Sequence, residues 1–137
     1  MSIHLEEDYR PTEDEPFMNP QMTEYFRRKL LKWRSELLHE SEETLQSLQE
    51  GGLQEADIAD RASLETDRSL ELRTRDRERK LIKKIDETLQ LIEDNEYGWC
   101  DSCGVEIGIR RLEARPTATL CIDCKTLAEI KEKQIGS

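Results

Sequence analysis

Valine occurs once in the 137 residues, and aromatic side chains make up only 5% of them. Leu, Ile, Val and Phe together reach about 22%, just above the level at which disorder becomes the default state. A large spherical core and an extensive sheet are thereby excluded. No apolar run approaches the roughly 18 residues that a membrane-spanning helix needs. The first residues (MSIHLEEDYRPTEDEP) are acidic where a secretory or organelle signal would be basic and then apolar, so a cytoplasmic protein is expected. There is no G-x-x-x-x-G-K-[ST] or G-x-G-x-x-G to cradle phosphates. With only His4 and His39 for bases, no Ser-His-Asp set assembles, and independent catalysis is not expected. A basic excess is missing too. Lys and Arg number 21 against 31 Asp and Glu, and the net charge of −10 repels nucleic-acid backbones, so direct DNA binding is not expected.

What remains is helical in character, because Leu, Glu, Lys, Arg and Gln dominate. Residues 1–20 hold Pro11, Pro16 and Pro20 and six acids, which reads as an extended acidic arm with Phe17 and Met18 as its points of contact. From Met22 the apolar residues Phe26, Leu30, Trp33, Leu37, Leu45 and Leu48 step by three and four, with Ser41 in the one gap. They make one stripe of an amphipathic helix that Gly51 and Gly52 end. A second helix is expected from an N-cap at Asp57 or Asp60 to about Glu96, and its Ile82, Ile85, Leu89 and Ile92 form a heptad seam. About 35 residues span roughly 50 Å, so two such helices bury their stripes by pairing antiparallel.

Residues 73–80 (RTRDRERK) put no apolar side chain into that seam. This segment is either a solvated face with i,i+4 pairs or a contact surface, for which Arg73 and Arg77 are the candidates. Charge is polarised as well. Residues 36–67 carry ten acids against Arg61, whereas residues 71–84 carry seven bases against three acids, so the end of the hairpin, near residues 50–62, is strongly negative. An acidic tip on a helical rod suits a cavity.

Cys100, Cys103, Cys121 and Cys124 follow C-x2-C-x17-C-x2-C. Each C-x2-C supplies two thiolates from one turn, and two such turns make a tetrahedral site for one structural Zn²⁺. Four ligands leave no open position for water, so zinc catalysis is disfavoured. The other reading, reduced pairs or a thioredoxin-like redox pair, lacks the βαβ context such a motif sits in. Gly104 and Gly108 suit a knuckle and a turn, Val105–Ile109 a short strand, and Arg110, Arg111 and Arg115 offset the thiolate charge. The expected fold is therefore mainly α. It comprises an N-terminal acidic arm (1–20), a long antiparallel two-helix coiled-coil hairpin (21–96), and a small C4 zinc-ribbon globule with a C-terminal helix (97–137).

The stretches DIADRA (57–62), SLELRTRDRERKLIKKI (69–85) and YGWCDSCGVEIGIRRLEARPTATLCIDCKTLAEIKEKQ (97–134) resemble the bacterial TraR/DksA family over residues 20–134. The resemblance implies a monomeric transcription factor that binds RNA polymerase and inserts its coiled coil into the secondary channel. With the alarmone ppGpp, such proteins destabilise promoter open complexes, repress ribosomal RNA promoters and favour some biosynthetic ones. It also implies site residues: Asp57, Asp60 and Ala62 at the tip, with Ile58 where many relatives have Pro, and Leu81, Lys84, Arg115 and Lys125 for ppGpp. Basic side chains are what a guanosine polyphosphate requires, Arg in bidentate contact and Lys as a point charge. Two rival functions share the same sequence features. One is a GreA-type cleavage factor using tip carboxylates to recruit Mg²⁺; the other is a sensor whose zinc thiolates are oxidised.

Overall fold

The computed structural model describes residues 4–51 and 58–135, with side chains except those of Thr44 and residues 47–64. Among these residues lie four helices: α1 (Pro20–Gly51), α2 (Ile58–Glu93), α3 (Ile109–Ala114) and α4 (Ile122–Ile135). There is no strand among them. The expected ribbon strand over 105–109 reduces to a single antiparallel bridge between Trp99 and Glu106. Gly108, at φ +101°, turns the chain away before more pairing forms, and Ile109 already opens α3.

α1 begins two residues before the apolar stripe does. Asn19 caps it, its Oδ1 accepting from the Met22 amide at 2.9 Å, and Pro20 takes the first helical position, where a missing N–H costs nothing. α2 ends at Glu93, short of the expected Glu96. Asn95 adopts φ +60°, and the amides of Asn95 and Glu96 donate back to Ile92 O and Leu91 O, which closes the helix as a Schellman turn. Asp60 lies inside α2 and is not its N-cap; Asp57, the other candidate, lies outside the described residues.

The chain divides into two compact units. Residues 1–30 and 87–137 form one, and Leu31–Asp86 the other. Early α1 shares a unit with late α2 and late α1 with early α2, so the helices run antiparallel. In the first unit Met22, Phe26 and Leu30 of α1 are fully buried with Ile92 of α2, Tyr97, Ile107 and Leu112. The Phe26 ring lies 5.8 Å from that of Tyr97, whose buried hydroxyl donates to Pro116 O at 2.8 Å. Glu113 of α3 is tied to α1 twice, accepting from Tyr25 Oη at 3.1 Å and Lys29 Nζ at 2.8 Å.

The arm is not extended. Glu15 gathers hydrogen bonds from Tyr9 Oη, from the Thr12 amide and hydroxyl, and from Asn19 Nδ2, folding residues 9–19 into turns. Those donors hold the Glu15 carboxyl below its usual range against the opposing effect of desolvation.

In the second unit Leu37 and Ile85 are buried, and Arg34 of α1 meets Asp86 of α2 at 2.7 Å. Leu45, expected in the stripe, is exposed. The basic stretch of α2 is mostly exposed, but two of its residues turn toward the seam. Counting back from Ile92, Leu89, Ile85 and Ile82 in steps of three and four reaches Glu78, Arg75, Glu71 and Arg68. All four are buried or half-buried, while Arg73 and Arg77 are exposed. The seam therefore continues with charged side chains in place of apolar ones. Glu78 is only 8% exposed, and its Oε2 meets no hydrogen-bond partner among the described residues.

A carboxylate in that position costs stability, since its desolvation is not fully offset. Glu78→Leu is expected to stabilise the hairpin by about 1–2 kcal/mol, whereas Ile85→Ala costs about 3 kcal/mol. Amide hydrogen exchange of α1 and α2 measures both, and slower exchange in the first variant with faster exchange in the second is the expected pair of results.

Candidate metal centre and the residues around it

The first cysteine pair sits on a tight turn. The Cys100 amide donates to Val105 O at 2.8 Å and the Gly104 amide to Cys100 O at 2.9 Å, a fold that needs the left-handed Gly104 (φ +79°). The second pair is set by a helix start: Cys121 immediately precedes α4, and Cys124 lies in its first turn. The Asp101 amide donates to Thr119 O at 2.8 Å and Arg111 Nε to Leu120 O at 2.9 Å, drawing the two halves together. Arg111 therefore acts on the backbone ahead of Cys121, while Arg110 and Arg115 are exposed.

The outcome is four Sγ atoms all within 4.8 Å of one another, with Cys103 and Cys121 at 3.7 Å. Tetrahedral Zn²⁺ with Zn–S near 2.3 Å places its sulfurs about 3.8 Å apart, so the donor set fits that ion. Its electrostatics demand one. Backbone amides, that of Cys121 foremost, bring the Cys100 thiol down to about 6, whereas the neighbouring thiols, Cys121 first, push Cys124 up to about 12. Four thiolates this close ionise together only around a cation.

The remaining sequence candidates are distributed over both units. Asp60 and Ala62 lie in the first two turns of α2, and Asp57 lies outside the described residues. Leu81 is half-buried and Lys84 exposed, both on α2 within Leu31–Asp86. Arg115 follows α3, and Lys125 stands 3.9 Å from Glu129 of its own helix α4; these residues belong to the unit that holds residues 87–137. Sequence reasoning missed Glu15, Asn19 and Gly98. Asn before Pro at a helix start was a legible signal for the cap; Phe17 and Met18 were legible as the arm's points of contact, but Glu15 and Gly98 carried no signal of their own.

A helical hairpin joined to a four-thiolate centre defines the class of protein. Residues 22–92 match the family described as "DnaK suppressor protein DksA, N-terminal domain", and residues 95–129 match "Prokaryotic dksA/traR C4-type zinc finger". The chain belongs to the DksA/TraR family. It is 57% identical to the protein named "RNA polymerase-binding transcription factor DksA" of Caulobacter vibrioides, over 92% of this chain and 89% of that one. Against its namesake from Escherichia coli (strain K12) identity is also 57%, over 95% of this chain and 86% of the other. Among solved structures, "transcription factor DksA2 from Pseudomonas aeruginosa" superposes with a TM-score of 0.79 at 42% identity, over 85% of this chain and 90% of that one. None of the described helices is long and apolar enough to cross a membrane.

The purified chain is expected to carry one zinc, read by native mass spectrometry, and Cys121→Ser to carry none. Loss of the metal should erase the near-ultraviolet signal of Tyr97 and Trp99 while most helical ellipticity survives, because α1 and α2 supply 32 and 36 residues of helix. Loading weakens progressively as pH falls, because protons compete with the metal for the thiolates.

Proposed function

We propose that this protein is an RNA polymerase-binding transcription factor that acts with ppGpp on the stability of promoter open complexes. One observation carries the reading: both parts of the chain match the family, and proteins 57% identical over nearly all of it bear that name. On this reading the chain works as three regions, an arm (1–20), a coiled-coil hairpin (21–96) with its tip near 50–62, and a C4 domain (97–137). The hairpin enters the secondary channel, and the carboxylates of Asp57 and Asp60, with the small Ala62 beside them, act near the catalytic centre. Their D-x-x-D-x-A spacing supports this assignment. Arg73 and Arg77, exposed on α2, face acidic elements of the channel rim. A net charge of −10 fits a protein partner and argues against DNA as one. The factor acts as a cytoplasmic monomer and is not an enzyme.

The tip is tested with cognate polymerase on a ribosomal promoter. The wild-type chain is expected to shorten open-complex lifetime, more so with ppGpp, and Asp60→Asn to lose most of that effect; equal lifetimes for the two would remove the tip from the mechanism. Promoter DNA without polymerase should remain unshifted.

For ppGpp, Leu81, Lys84, Arg115 and Lys125 supply an apolar contact and three cations, the chemistry a guanosine polyphosphate demands. Lys84→Ala and Arg115→Ala are each expected to weaken ppGpp binding to the assembled complex by about tenfold, the loss of one charge-assisted bond. Radiolabelled ppGpp retention measures it, and wild-type retention by both variants would discard the site.

A further inference from the structure

The N-terminal arm rests on the segment that delivers Cys100. Three layers of structure hold it there. Glu15 ties Tyr9, Thr12 and Asn19 together, and Asn19 at the same time caps α1, so the fold of the arm is keyed to the start of that helix. The Tyr9 ring lies edge-on to Tyr25 of α1 at 5.9 Å. Met18 takes φ +54°, a left-handed conformation that costs a residue with a Cβ, and it is held by the Thr23 hydroxyl donating to its carbonyl at 3.2 Å.

That turn lays Phe17 and Met18 across Gly98. A Cβ at Gly98 would stand 3.0 Å from Met18 Cγ and 3.1 Å from Phe17 Cε2, so glycine is needed for the approach as well as for its φ of +98°. The Phe17 ring meets Trp99 edge-on at 5.3 Å and 83°. Gly98, Trp99 and Cys100 are in turn one side of the first knuckle. Gly98 O accepts from the Ile107 amide at 2.9 Å, Trp99 bridges Glu106, and the Cys100 amide donates to Val105 O. A cavity of about 210 Å³ lies under the arm between Met18, Thr23, Ile92 and Tyr97. Lifting the arm would open Ile92 and Tyr97 to water, and Tyr97 holds Pro116 on the approach to the second knuckle.

We propose that residues 9–19 form a strap that sets how long zinc stays bound, by pressing Phe17 and Met18 on Gly98 and Trp99 and so restraining local opening of the Cys100–Cys103 knuckle. A competing chelator reaches a thiolate-bound metal when a knuckle opens, and opening is governed by the local free energy of that segment. The strap adds to it without supplying a ligand.

Zinc transfer from the loaded full-length chain to an excess of a chromophoric chelator tests this. Phe17→Ala is expected to release zinc at least about fivefold faster, a factor equivalent to about 1 kcal/mol of local opening. Glu15→Gln, which leaves every apolar contact in place, moves the same way to a smaller extent, and Glu13→Gln, an exposed acid of the same arm, releases at the parent rate. Hydrogen exchange should show lost protection at the Cys100 and Ile107 amides with Phe26 and Leu30 unchanged. Release within about twofold of the parent by both Phe17→Ala and Glu15→Gln overturns the proposal. So does a loss of protection as large at Phe26 and Leu30 as at Cys100, which would mean general destabilisation.

Discussion

Four thiolates within 4.8 Å of one another are unfavourable unless a cation lies between them. Much of the first unit is arranged around that constraint. Around the cysteines the buried apolar side chains are few, chiefly Tyr97, Ile107, Ile109 and Leu112, and the larger part of the unit's core lies at Met22, Phe26 and Leu30 of α1. The metal supplies the missing cross-link, joining a turn at Cys100–Cys103 to the start of α4. The backbone bond from Asp101 to Thr119 and the bond from the Arg111 side chain to Leu120 O align the two halves, and the ties from Glu113 to Tyr25 and Lys29 attach the centre to α1.

The second unit answers the same scarcity of apolar residues differently. It has no metal ligands among its described residues, and its seam runs out of apolar side chains beyond Ile82. Arg75 and Glu78 hold seam positions there, while Leu70 and Leu72 lie on the outside with more than half of their surface exposed. A seam of this kind is weak in stability and strong in specifying how the two helices face each other, since charged layers tolerate fewer alternative registers than leucine layers do. Local stability along α2 is therefore uneven by construction, highest where Ile85, Thr88 and Ile92 are buried.

The legible parts of the fold were those written as periodicity or spacing. The heptad from Ile82 to Ile92 and the double C-x2-C each depend on residues close in sequence, and each appears in the structure as read, whereas the stop expected at Gly51 and Gly52 falls where the described residues end. The misreadings have a common cause. The arm looked extended because its prolines and acids say nothing of Glu15, whose four hydrogen bonds come from three residues brought round by the turns themselves. The strand expected at 105–109 was lost to a glycine, Gly108, whose backbone angle a sequence does not state. RTRDRERK carries no apolar side chain and is mostly exposed, yet Arg75 and Glu78 of it lie in the seam, because position in a heptad is fixed by the neighbouring turns and not by polarity.

By itself the sequence determined the helical class, the ligand set, the polarity of the hairpin and, through resemblance, the family. These are properties of local propensity and of fixed spacings, which do not need distant residues to be known. Tertiary structure alone decided which charged side chains are buried, how the two knuckles converge to thiolate distances, and that Phe17 and Met18 close over Gly98. Each of those depends on residues apart in sequence, by under twenty positions at the knuckles and by some eighty between Phe17 and Gly98, and no spacing within one segment encodes which of them will meet.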